Sequence, residues 1–155
     1  MTIVTIPPVF DTWLCIPDIK AKKRDTALQQ MAAFATQAGA ARDPDLLTAT
    51  LLRRERSASS AVGKGVAIPH ARSLGVTDAR VLVARAPRGI DWGAPDGAEV
   101  HLMMLALAPA EMAEEAFYDL VARAAGLVRL QRPRQKLIDA EGAEALSCAL
   151  RAALS

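Results

Sequence analysis

The chain has 155 residues, 52% of them hydrophobic, with 19 basic and 17 acidic side chains and a net charge of +2. That length suits one domain with one sizeable core, and we read residues 1–155 as a single domain. So small a net charge, without a long basic tract, gives no grounds for a nucleic-acid surface. The longest apolar run, Val100 to Ala110, is interrupted by His101 and Pro109 and is too short to span a bilayer.

At the N-terminus, MTIVTIPPVF has no basic start and is broken by Pro7 and Pro8, so no signal peptide is expected. Cys15 and Cys148 are far apart and form no metal or CxxC pattern, and both are expected to be small buried hydrophobes. Two lone cysteines suit a reducing compartment, and the expectation is a soluble cytoplasmic protein.

Helical spacing of Leu28, Met31, Ala32 and Ala35 predicts a helix over about Ile19 to Gln37, stopped by Gly39. The cluster Lys20, Lys22, Lys23 and Arg24 would form a solvated face at its start. Asp43 can cap a second helix, with Pro44 at its first position, Asp45 at its positive end and an apolar face reaching about Glu55. Ser57 to Ser73 is expected as loop, with one short apolar piece, Val66-Ala67-Ile68. A strand follows over Ala79 to Ala86, then a turn-rich stretch in which Asp96-Gly97 is a hairpin signal.

The run VHLMMLALA, from Val100, predicts a central strand covered on both faces. Phe117, Leu120, Val121, Ala124, Leu127 and Val128 mark the core face of a long helix. Pro133 interrupts, and a last helix covers Glu141 to Leu154. Helices, then strands, then helices describe a layered α/β domain with a sheet covered on both sides.

Several familiar sites are absent from the pattern. GKG lacks the spacing of a phosphate-cradling loop, and no GxGxxG opens a helix. His70 and His101 have no nearby cysteines or paired carboxylates, which argues against a metal site, and no cofactor is expected. A triad of Ser59 or Ser60, His70 and Asp78 can be written down, but no nucleophile elbow supports it.

The informative stretch is Arg54-Glu55, Ser59-Ser60, Gly63-x-Gly65 and Ile68-Pro69-His70. Glycine permits backbone angles other residues avoid, and proline restricts itself and the residue before it. A histidine that must present a ring nitrogen in one orientation can use both. Neutral imidazole is a competent nucleophile near pH 7. Phosphoryl transfer to it needs chiefly positioning and charge neutralisation, which an arginine, loop N–H groups and hydroxyls supply. A histidine that only fills the core is the other reading these residues leave open.

The segment LLRRERSASSAVGKGVAIPHAR resembles the EIIA domains of the fructose/mannitol type in the bacterial phosphoenolpyruvate:sugar phosphotransferase system, a group that includes the nitrogen-regulatory EIIA proteins. DPDLL before it and VHLMMLALAP after it fall where that family has a helix start and a central strand. The resemblance implies a three-layer α/β/α sandwich around a mixed sheet. It also implies that His70 is the phosphorylated residue and that Arg54 lies beside the phosphoryl group. Glu55 would be structural or orienting, and Ser59 or Ser60 would contact phosphate. Gly63, Gly65 and Pro69 would shape the presentation of the ring.

Many members carry a second histidine at the start of the helix after the central strand, where this chain has PAEMAEEAFYDL, with Ala116 at the corresponding position. His101 is expected to be buried or at a strand edge, without a catalytic role. The expected donor is an HPr protein or its nitrogen-branch relative. The 155 residues hold no fused permease or carrier segment, which favours a regulatory role towards a transporter or kinase. A subunit that passes phosphate to an EIIB permease is the alternative, and a regulator that acts by docking alone is a third.

Overall fold

The computed structural model of the protein describes residues 4–5 and 12–155, so the reading of the N-terminal MTIVTIPPVF segment falls largely outside the described residues. Seven strands form one mixed sheet: β1 (Val4–Thr5), β2 (Trp13–Ile16), β3 (Ala61–Gly63), β4 (Val66–Ala67), β5 (His70–Ser73), β6 (Arg80–Ile90) and β7 (Val100–Pro109). Helices α1 (Arg24–Gln37) and α2 (Pro44–Ser57) precede β3, and α3 (Glu114–Arg129), α4 (Gln131–Asp139) and α5 (Gly142–Leu154) follow β7.

The strand order is β1-β2-β6-β7-β4-β3, with β5 also on β7. Pairing is parallel for β2/β6, β4/β7 and β5/β7, and antiparallel for β1/β2, β3/β4 and β6/β7. Side chains alternate across a strand. Leu82, Ala84, Met103, Leu105 and Leu107 therefore pack against Leu28, Met31, Leu47 and Leu51 of α1 and α2. Val81, Val83, Leu102, Met104 and Ala106 pack on the other face against Leu120, Ala124, Leu137, Leu146 and Leu150. The result is the α/β/α sandwich expected, with the apolar β7 at its centre.

The second helix starts as its sequence dictates: the Asp43 carboxylate accepts the Leu46 N–H at 3.0 Å, with Pro44 at the first helical position. It runs on to Ser57, past the expected end at Glu55. The first helix begins only at Arg24. Residues 19–23 instead follow the sheet, where Ile19 N–H bonds the Arg85 carbonyl at 2.8 Å and Asp91 N–H bonds that of Lys22 at 3.0 Å. The lysine cluster is solvent-facing but precedes the helix rather than forming its first turn. Pairing with β6 and burial of Ile19 outweigh the helical pattern there.

The stretch from Ser57 to Ser73 is not loop throughout, because β3, β4 and β5 lie within it. Strands this short persist by pairing, β4 and β5 with the long β7 and β3 with β4. Register on β7 is continuous through the gap, Ala67 opposite Met103 and His70 opposite Ala106. Ile68-Pro69 interrupts it, since proline has no N–H to give the ladder. β2 was not anticipated from sequence, and β6 passes the expected end at Ala86 through an irregularity between Arg85 and Ile90.

Asp96-Gly97 does lie in the β6–β7 connection, where Gly97 (φ +74°) donates to the Ala94 carbonyl at 3.0 Å. Leu130, extended at ψ 139°, ends α3, and Pro133 sits in the first turn of a separate helix, α4. There its missing N–H is no loss. Cys15 is buried, and desolvation pushes its thiol up to about 11 despite the neighbouring Ser147 hydroxyl and the Arg151 charge. Cys148, expected to be buried, is exposed on α5.

Candidate functional site

Three elements converge at the C-terminal end of α2. The last turn of α2 carries Arg54 outward and turns Glu55 inward, where only 5% of the residue is exposed. A buried carboxylate needs donors. Glu55 has them from Ser60, whose N–H donates to Oε2 at 3.1 Å and whose hydroxyl donates to Oε1. Ser59 Oγ accepts the Ala61 N–H at 3.2 Å. The acid thus ties the loop after α2 onto the helix, and β3 starts from a fixed place.

His70 opens β5. Its Nδ1 lies 2.9 Å from the Ile68 carbonyl and its Nε2 lies 3.1 Å from Nη2 of Arg54. A carbonyl oxygen only accepts and a guanidinium only donates. Both contacts therefore assign one tautomer: Nδ1 carries the hydrogen and Nε2 presents its lone pair towards Arg54. The Ile68-Pro69 break places that carbonyl, because it lets the chain leave the β7 ladder and rejoin it at His70. Pro69 keeps one link to the ladder, its carbonyl accepting the Ala106 N–H at 3.0 Å.

His70, Pro69, Arg53, Arg54, Ser59 and Ser60 line one open cavity of about 520 Å³. The structure thus brings together the histidine, the arginine, both serines and the proline singled out from sequence. It does not bring Gly63 and Gly65 there. They bracket Lys64 at the β3–β4 turn, where φ is +88°, +59° and +81° in succession, a left-handed run that favours glycine. Asp78 pairs with Arg80 at 3.7 Å and does not orient His70.

Sequence reasoning missed three neighbours. Arg53 adds a second guanidinium to the cavity. The Phe117 ring, buried in the first turns of α3, packs on His70 at 5.9 Å between centroids, tilted 49°. Arg72, two residues along β5, lies over the same ring: its guanidinium is 5.6 Å from the Phe117 centroid and donates to the Met112 carbonyl at 3.0 Å. Helical spacing marks Phe117 as a core position, but only the packing of α3 on β5 brings it to the imidazole. Ala116 is exposed beside it, so an aromatic ring rather than a second imidazole is what this helix lays against His70.

His101 stands on β7, its Nδ1 3.1 Å from the Ala86 carbonyl, outside the His70 cavity. Among the described residues, no helix is long and apolar enough to cross a membrane.

Residues 9–152 match the family described as "Phosphoenolpyruvate-dependent sugar phosphotransferase system, EIIA 2". Over 131 residues the chain is 36% identical to a nitrogen regulatory protein of Bradyrhizobium diazoefficiens, covering 84% of each chain. Over 129 residues it is 27% identical to the fructose-specific EIIABC component of Bacillus subtilis, covering 83% of this chain but 20% of that longer protein. Among solved structures it is similar to the nitrogen regulatory protein IIA-Ntr of Neisseria meningitidis, with a TM-score of 0.78 at 25% identity, covering 88% and 92% of the two chains. The Escherichia coli IIA mannitol structure shares the fold, with a TM-score of 0.74 at 15% identity over 88% of this chain and 94% of that one.

Proposed function

The chain belongs to the EIIA 2 family of the phosphoenolpyruvate-dependent sugar phosphotransferase system, and from that premise we propose that it acts as one EIIA domain whose phosphoryl carrier is Nε2 of His70. The observation that carries this reading is the tautomer: the Ile68 carbonyl holds the proton on Nδ1, which leaves the Nε2 lone pair aimed into the cavity beside Arg54.

The donor is a phosphohistidine of HPr or of its nitrogen-branch relative. The Nε2 lone pair forms the new bond to phosphorus as the donor's P–N bond breaks, and the donor ring leaves with that electron pair. Nδ1 keeps its proton, so positive charge develops on the His70 ring. The Ile68 carbonyl, already accepting from Nδ1, stabilises it. Arg54 moves from Nε2 to the phosphoryl oxygens as the bond forms, exchanging a neutral acceptor for a charged one. Ser60 is committed to Glu55, so its hydroxyl is not free for phosphate; Ser59, whose oxygen only accepts from Ala61, keeps its hydroxyl hydrogen for that contact. Glu55 has the orienting role, and the glycines shape the hairpin rather than touch phosphate.

The regulatory branch is favoured by similarity to the nitrogen regulatory protein over most of both chains; a transporter or kinase would be the regulated partner. The second reading, a sugar-specific subunit that hands phosphate to an EIIB permease, is favoured by the match to a fructose-specific component. Two unpaired cysteines, one of them solvent-exposed, suit the cytoplasm, where we take the protein to act.

Incubation of the purified protein with phosphoenolpyruvate, Enzyme I and HPr tests the reading. One phosphoryl group per chain, stable to base and labile to acid, is expected on His70. No acceptance from HPr or from the nitrogen-branch donor would instead leave a regulator that works by docking alone.

A further inference from the structure

A second polar cleft, of about 540 Å³, lies at the tip of the β3–β4 hairpin, and phosphoryl transfer makes no use of it. Its inner wall is Arg85, which is nine-tenths buried at 9% exposure. The Nε–H of Arg85 donates to the Ile138 carbonyl near the end of α4 at 2.6 Å. Among the described residues no carboxylate stands within ion-pair distance of it, and its terminal amino groups have no acceptor. A guanidinium cannot shed its charge by losing a proton, and the terminal amino groups of this one open onto the water of the cleft, where they are free to donate. Such a group asks for an anion.

His101 stands in the same cleft. Its Nδ1 donates to the Ala86 carbonyl, which leaves Nε2 uncommitted. The ring is held between two glycines in the left-handed region: a Cβ on Gly89 would sit 3.0 Å from Cε1, and one on Gly65 would sit 3.9 Å from Cδ2. A side chain at Gly89 would crowd the imidazole edge, whereas one at Gly65 would make only ordinary contact with it. Lys64 adds a further cation to the lining, which also holds Glu99 and Asp139; the Glu99 carboxyl carbon would sit 3.1 Å from a Cβ on Gly89, on the His101 side, and Asp139 takes the Gln135 amide at 2.9 Å. Two carboxylates in the lining disfavour a polyanion.

We propose that this cleft binds a small metabolite through a single oxyanion head, a carboxylate or a phosphate, held by the Arg85 guanidinium with His101 beside it. The cleft is separate from the phosphoryl site. His101 lies five residues from Ala106, the β7 partner of His70, or about 17 Å along the strand. The two are joined by the hairpin, since Gly65 accepts from His101 N–H at 2.8 Å at the tip and Ser60 accepts from Ile68 N–H at 2.9 Å at the base.

Inorganic phosphate and acetate, titrated separately at constant ionic strength and followed by amide and arginine Nε–H NMR shifts, test the proposal and distinguish the two head groups. Saturable shifts at Gly65, Arg85 and His101 are expected with at least one of them, unchanged in Arg54→Ala. The affinity should fall more than about tenfold in Arg85→Gln, as for loss of a charge-assisted pair. If Arg85→Gln does not fold, His101→Gln decides, and unchanged affinity there overturns the proposal. Shifts confined to Ser59 and His70 and lost in Arg54→Ala, or no saturable shift with either anion, overturn it as well.

Discussion

The two histidines carry the same tautomer and differ in what meets the other nitrogen. Each donates Nδ1–H to a backbone carbonyl, His70 to Ile68 and His101 to Ala86. At His70 the unprotonated Nε2 points at an exposed arginine in an open cavity. At His101 the ring edge lies close against Gly89, and the cation in the same cleft is an arginine anchored to Ile138. A carbonyl lock makes an imidazole nucleophilic in one direction; whether it can act depends on a partner that can move with the reacting group. An exposed guanidinium on a helix end can follow phosphorus, whereas one fixed in the sheet's far wall can only hold a ligand.

The sharpest way to break this contrast is to remove each ring in turn. His70→Ala should abolish phosphoryl acceptance from HPr, and His101→Ala should retain it, as read by acid-labile label and by the mass of the intact chain. Label on His101 in either protein would reverse the assignment. Next in size is the aromatic neighbour that only His70 has. Phe117→Ala should cost about 3–5 kcal/mol in denaturant unfolding, as for loss of a buried ring. Phe117→Leu should fold, with a slower transfer rate because the imidazole loses its stacking surface. A leucine variant with wild-type transfer would make Phe117 purely structural.

Arg54→Ala should slow acceptance by about 10–100-fold with the fold unchanged by circular dichroism, the loss of a charge-assisted contact. Arg54→Lys should recover part of it, since lysine cannot reproduce the planar fork. Recovery to the wild-type rate would show that charge alone suffices. Ser59→Ala should slow transfer only a few-fold, about 1 kcal/mol or less for one neutral hydroxyl. Ser60→Ala should act instead on stability, by leaving the buried Glu55 short of a donor. Equal kinetic loss in both would remove the distinction between the two serines.

The smallest effect concerns the hairpin tip that joins the two regions. N–H groups of Lys64 and Ala98 donate to the Asp96 carboxylate at 2.8 and 3.1 Å and hold its pKa below the ordinary value. A depressed carboxyl stabilises the fold above its unfolded pKa of about 3.9, and that contribution is lost as pH falls through the lower folded value. Asp96→Asn should therefore flatten the acid limb of the melting temperature against pH, with little change at pH 7. An unaltered acid limb would mean that the turn is held by its glycines alone.

Local chemistry made much of this legible beforehand. Asp43-Pro44 marks the start of α2 through a cap and a pre-set φ, and the apolar run from Val100 marks a strand buried on both faces. The spacing from Arg54 to His70, with glycine and proline between, marks a candidate site. The first two signals act within a few residues and the third over sixteen, so the linear order contains them.

Other features depend on partners distant in the chain. Ile19 to Lys23 carries a helical pattern but pairs along the sheet because β6 offers an edge. β4 and β5 are too short to be seen without β7 beside them, and β3 without β4. Phe117 reaches His70, and Arg85 reaches Ile138, only once α3 and α4 pack on one face of the sheet. Residue types and their spacing by themselves made His70 and Arg54 candidates for a site, and the family resemblance gave them the roles proposed for phosphoryl transfer. The tautomer, the commitment of Ser60 to Glu55 and the separation of the two histidines were decided by tertiary structure, because each rests on a carbonyl, a donor or a strand register that pairing across the sheet puts in place.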